Sequence, residues 1–140
     1  MSAIWSEEAK LRRWLDVELA ALEGWAETGV VPREAVEAVR AKAAPPSPAR
    51  VAEIEARTQH DVAAFVDAVA EQLGEEGRWF HFGLTSSDVL DTALALQIRD
   101  AGALVLEGIE RALAVVAARA EEYRATITIG RTHGVHAEPT

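Results

Sequence analysis

The sequence has no cysteine, a single methionine, a single tyrosine and only five prolines in 140 residues. Without cysteine it can form neither a disulfide nor a thiolate metal site, and a reducing compartment is the expectation. No stretch comes near the roughly 20 apolar residues that a bilayer span requires, and the opening MSAIWSEEAK lacks the basic and then apolar run of a secretory signal. The expected setting is cytoplasmic, with no membrane partner. An excess of positive charge is missing as well. Acidic side chains number 23 against 14 basic ones, for a net charge of −9, which works against nonspecific binding to nucleic acid or to an anionic membrane. Any anionic ligand must be held by local geometry.

What is present is the composition of a helical protein, rich in alanine, leucine, valine and glutamate. Ser6 caps a first helix, with Glu7 and Glu8 in its first turn against the helix dipole, and Gly29 and Pro32 end it. Leu11, Trp14, Leu15, Leu22 and Trp25 form its apolar stripe, which Glu18 interrupts as a paired, half-buried carboxylate. Pro32 restarts a helix to about Ala43, and Ala43–Pro48 (AAPPSP) forms a sharp corner. Ser47 and Pro48 open the next helix, through Val51 and Ile54. After a bend near Thr58 it continues through Val62, Phe65, Val66, Val69 and Leu73 to Gly74. From Asp88 to about Tyr123 one seam runs without interruption through Leu90, Leu94, Ile98, Ala101, Val105, Ile109, Leu113 and Val116. Such a helix is about 50 Å long. A 140-residue globule has a diameter of about 37 Å. The seam is therefore expected to be covered by other subunits or by sequence outside this chain. TITIG, Thr126–Gly130, reads as a β-branched connector, not a sheet.

Chemistry concentrates in three places. His60 and Asp61 lie where one helical segment meets the next. Neighbouring helical side chains point about 100° apart, so Asp61 does not orient His60, although both can line one wall at a bend. LTSSD, Leu84–Asp88, opens the long helix: Ser87 or Asp88 caps it, leaving the hydroxyls of Thr85 and Ser86 for an anion at the helix amino end. The segment GRTHGVHAEPT, Gly130–Thr140, holds Arg131, Thr132, His133 and His136. No HExxH-type spacing accompanies the two histidines, so no metal is expected. A histidine between Thr132 and Gly134 fits a proton donor or acceptor beside an anionic substrate. Spacing alone does not name the reaction.

TQHDV (Thr58–Val62), FHFGLTSSDVLDTA (Phe80–Ala93) and GRTHGVHAEPT stand in the order and at the separations found in the adenylosuccinate lyases, and IWSEEAKLRRWLDVE (Ile4–Glu18) matches as well. The chain thus resembles that family of the fumarase/aspartase superfamily over essentially its whole length. The resemblance implies an all-α fold, with an N-terminal helical domain over 1–87 and the start of a central long-helix bundle over 88–140. It also implies β-elimination of fumarate from adenylosuccinate to AMP, and from the succinylcarboxamide intermediate of purine synthesis, with no cofactor. His133 matches the general acid and His60 the assisting histidine. Gln59, Asp61 and Thr132 match substrate contacts, and Thr85 with Ser86 the pair that binds a substrate carboxylate. The implied partners are an anionic purine nucleotide and further copies of the chain in a homotetramer. Two family features are absent: an Arg-Tyr pair upstream of the IW motif, and the downstream mobile loop whose serine is the base. The expectation is an N-terminal third of a lyase, inactive alone. A noncatalytic helical module that self-associates, and a sibling fumarate-releasing lyase, remain as alternatives.

Overall fold

A computed structural model describes residues 1–139; Thr140, the last residue of the chemically loaded segment, lies outside the described residues. The fold is helical with one small hairpin. Helices α1 (Glu7–Glu27), α2 (Arg33–Lys42), α3 (Pro48–Thr58), α4 (Asp61–Ala70) and α5 (Ser86–Glu122) are followed by strands β1 (Ile129–Thr132) and β2 (Val135–Pro139). Residues divide into two compact units, Met1–Gly102 and Ala103–Thr140.

In the first unit the helix starts follow their caps. The side chain of Ser6 accepts the amide of Ala9 at 3.2 Å, and that of Ser47 accepts the amide of Arg50 at 3.2 Å with Pro48 in the first turn, each satisfying an amide the helix leaves unpaired. The proline corner between α2 and α3 is pinned by Gln72. Its side chain accepts the Ala44 amide at 3.0 Å and donates to the Ala44 carbonyl at 3.1 Å. The core is built from Leu11, Trp14, Leu15 and Leu22 of α1, Val36 and Val39 of α2, Val51 and Ile54 of α3, and Val62, Phe65 and Val69 of α4. Trp14 meets Phe65 edge-on at 5.4 Å, the arrangement the ring quadrupoles favour.

Helix α5 meets this core through a stripe beside the seam that was expected to be covered by other subunits or by sequence outside this chain. Val89, Ala93, Gln97 and Ala101, four residues apart, are its buried positions. Leu94 and Ile98 on the neighbouring stripe are exposed, so of the predicted seam within this unit Ala101 is buried and Leu90 packs partly buried against the core. Small side chains on the inner stripe permit close helix approach, and Gln97 donates from Nε2 to the carbonyl of Ile4 at 2.7 Å.

In the second unit Leu104, Val105, Leu106, Ile109, Leu113, Val115 and Val116 are all exposed. The hairpin corrects the reading of TITIG as a connector only. Its end, Ile129 and Gly130, enters β1, which pairs antiparallel with β2 in the register Thr132 to Val135 and Arg131 to His136, with an irregularity before Ile129 pairs with Pro139. His133 and Gly134 link the strands with φ of +49° and +76°. Two consecutive left-handed residues are what a two-residue hairpin turn of the I′ type requires, and glycine at the second removes half of its steric cost.

Candidate active site

The site in the first unit is made where two helices begin. Thr58 ends α3, and Gln59 turns left-handed at φ +53°, its amide donating to Glu55 O at 2.8 Å. That residue ends α3 without a glycine or proline. His60 is then extended and serves as the cap of α4, its ring Nδ1 accepting the amide of Ala63 at 3.2 Å. Asp61 is the first residue of α4, favourably placed against the helix dipole, and its Oδ1 accepts the amide of Val62 at 2.7 Å. Asp61 Oδ1 lies 3.5 Å from His60 Nδ1. The group that orients His60 is therefore the Ala63 amide, in keeping with the expectation that Asp61 does not.

The second helix start is α5. The cap was expected of Ser87 or Asp88, but Thr85 holds the position before the helix and Asp88 lies in its first turn: the Asp88 carboxylate accepts the amide of Thr85 at 2.8 Å, while the Thr85 carbonyl accepts the amide of Asp88 at 3.0 Å. This reciprocal pair stands on the helix's first turn in the manner of a capping box. The helix begins at Ser86, two residues earlier than the apolar seam suggested. The Oγ of Ser86 lies 3.2 Å from Nε2 of His60. A single contact thus joins the HDV and LTSSD motifs and brings the amino ends of α4 and α5 to one corner.

Loop Trp79–Leu84 sets where α5 begins, and α1 holds the loop at two points. Glu18, 2 % exposed, accepts the His81 amide at 3.1 Å and His81 Nδ1 at 2.6 Å. Burial pushes its carboxyl above the ordinary 4.5, against the hydrogen bond and charge of His81, which pull it down. Glu18 is thus paired as expected but fully buried, not half-buried. His81 itself is left-handed at φ +61°, a conformation held in place by the two bonds to Glu18. Farther along α1, Trp25 donates from Nε1 to the carbonyl of Phe82 at 2.9 Å. Gly83, at φ +72°, passes so close that a Cβ there would lie 2.7 Å from the Trp25 ring, and only glycine fits. The sequence assigns His81 no role of its own. An acid on the apolar stripe of α1 was the signal that a buried partner existed, but not which residue it was.

Of the residues singled out from sequence, Gln59, His60, Asp61, Thr85 and Ser86 all lie at the two helix starts. Asp61 also borders a cavity of about 220 Å³ lined by Glu7, Lys10, Trp14 and Glu55 among others. Thr132 and His133 belong to the hairpin of the second unit, Thr132 at the end of β1 and His133 in the turn. Chemically, the corner of the first unit offers hydroxyls and an imidazole beside two helix amino ends, a set suited to a carboxylate or phosphate. The turn offers an exposed imidazole suited to proton transfer.

A family model described as "Lyase" matches residues 1–140. The adenylosuccinate lyase of Bacillus subtilis (strain 168) is 49% identical over 140 residues, and that of Streptococcus mutans serotype c is 51% identical over 140 residues. Each alignment covers 100% of this chain and 32% of the relative. The chain therefore spans about a third of the length of these curated relatives. Among solved structures, a fumarate lyase from Mesorhizobium sp. BNC1 superposes with a TM-score of 0.92 at 31% identity, covering 99% of this chain and 33% of that one. A 3-carboxy-cis,cis-muconate lactonizing enzyme from Pseudomonas putida superposes with a TM-score of 0.92 at 30% identity, with the same coverage.

Proposed function

We propose, from the premise that this chain belongs to the lyase family whose model spans its 140 residues, that it is the N-terminal portion of an adenylosuccinate lyase. The reaction is a β-elimination. A base removes a proton from the carbon beside a substrate carboxylate, the freed electron pair forms the carbon–carbon double bond of fumarate, and the carbon–nitrogen bond breaks. The departing nitrogen takes a proton from His133, the general acid. Thr85 and Ser86 hold a substrate carboxylate, and Gln59, His60, Asp61 and Thr132 contact the substrate. The base is a serine outside these 140 residues. Substrates are adenylosuccinate and the succinylcarboxamide intermediate of purine synthesis, turned over in the cytoplasm. The domain division is 1–87 and 88–140, with further copies of the chain covering the exposed apolar face of α5 in a homotetramer.

The observation that carries this reading is the 3.2 Å contact between His60 Nε2 and Ser86 Oγ. It joins two motifs that are separate in sequence, which supports reading their shared corner as the place where a substrate carboxylate binds. The substrate assignment is supported by identity near 50% to adenylosuccinate lyases, against about 30% to the muconate lactonizing enzyme. The test is an assay of a full-length lyase carrying this sequence. Adenylosuccinate should yield fumarate and AMP in equal amounts, followed by ultraviolet absorbance. No elimination from adenylosuccinate, with turnover of a carboxymuconate instead, would overturn the assignment.

A further inference from the structure

We propose that the cap of α4 locks His60 as the tautomer protonated on Nε2, so that the His60–Ser86 pair is a hydrogen-bond donor set and not a hydroxyl-activating dyad. The proposal rests on the β-elimination reading for its purpose, though its evidence is local. A histidine and a serine 3.2 Å apart are open to two descriptions. In one, Nε2 carries the lone pair, takes the serine proton and makes Ser86 a nucleophile or base. In the other, Nε2 carries the proton and donates it to Ser86. The distance alone cannot separate them.

The other ring nitrogen decides. Nδ1 lies 3.2 Å from the backbone amide of Ala63, and an amide N–H can only donate. Nδ1 must therefore present its lone pair, and a neutral imidazole has one lone pair and one N–H. The proton is on Nε2. Ser86 Oγ accepts it, which leaves the serine O–H to be given to a third group. The corner thus presents a hydroxyl proton, and when Ser86 turns away the Nε2–H as well, both directed at an acceptor. A carboxylate is such an acceptor, and a proton on carbon is not.

The backbone maintains this arrangement. Left-handed Gln59 followed by extended His60, at φ −153° and ψ 118°, places the imidazole at the cap position. Serine or aspartate would cap α4 equally well, but neither has a second donor atom on the far side of the acceptor. The charged group beside Nδ1 is Asp61, whose Oδ1 is 3.5 Å away and is engaged by the Val62 amide. Reversing the tautomer would set the Nδ1 proton against the Ala63 proton and open the cap.

Nitrogen NMR of the intact, ¹⁵N-histidine-labelled protein without substrate tests this directly. The His60 signals are assigned by their loss in His60→Asn. The expected result is Nδ1 at the unprotonated position and Nε2 at the protonated one near neutral pH, with the same pattern in Ser86→Ala. Protonated Nδ1 in the parent protein, or a tautomer that reverses in Ser86→Ala, would overturn the lock. A lyase without activity on adenylosuccinate but with Nε2 protonated would refute the substrate assignment and leave the lock standing.

Discussion

Replacing His133 by alanine in a full-length lyase carrying this sequence lowers kcat by a factor of about 10² to 10⁴, the range expected when a positioned general acid is removed. The nitrogen that leaves in the elimination would otherwise depart as an anion, so the loss falls on the chemical step and KM changes little. The residue also has a structural duty. It occupies a left-handed position, φ +49°, in the turn between β1 and β2, where alanine is strained. His133→Asn separates the two duties, because asparagine tolerates that conformation but cannot donate an acidic proton. Both variants should lose activity to a similar extent. His136, across the ladder from Arg131, is the internal control: His136→Ala should leave kcat near its parental value. Steady-state kinetics on adenylosuccinate reads all three. Near-normal turnover in His133→Asn would remove the residue from the chemistry.

Replacing Glu18 by alanine destabilises the first unit by about 1–3 kcal/mol, the usual consequence of leaving a buried donor without its acceptor. Its carboxylate is the acceptor for both the amide and Nδ1 of His81. Losing it strands two donors and leaves a space among Leu11, Trp14 and Leu22 of the same helix face. Glu18→Gln keeps the shape and one acceptor and should lose less. The pH dependence follows from the raised carboxyl. A group that binds its proton more tightly folded than unfolded stabilises the fold below its unfolded value, and this contribution fades as the pH rises through the folded value. Above 4.5 the parent should therefore lose stability relative to Glu18→Gln, whose profile has no such step. Denaturant unfolding across pH measures it. An alanine variant as stable as the parent would show that the pair does not hold the loop.

How far these features were legible depended on whether their cause was local. Ser6 and Ser47–Pro48 announce their helices because a cap acts within three residues. The break at Gln59 carries no glycine or proline, and His60 is an uncommon cap, so the sequence showed a bend near Thr58 but not the imidazole's bond to Ala63. The hairpin was hidden for a related reason: β-branched Ile129 points to a strand only when joined to the His133–Gly134 turn. On α5 two apolar stripes adjoin. Sequence favours the larger side chains of Leu94 and Ile98, whereas close packing in the first unit selects Val89, Ala93, Gln97 and Ala101. The pairing of Glu18 with His81, 63 positions apart, is tertiary and has no local signature. The roles proposed for Gln59 and Thr132 rest on family resemblance alone, while those proposed for Thr85 and Ser86 rest on helix physics as well.

Crystallography of the full-length lyase with fumarate, or with an unreactive succinyl nucleotide bound, tests directly the anion binding proposed for the corner of His60 and Ser86. A ligand carboxylate should lie within hydrogen-bond distance of Ser86 Oγ, flanked by Thr85 and by Nε2 of His60. A carboxylate bound elsewhere, with Ser86 and His60 still bonded only to each other, would contradict the account.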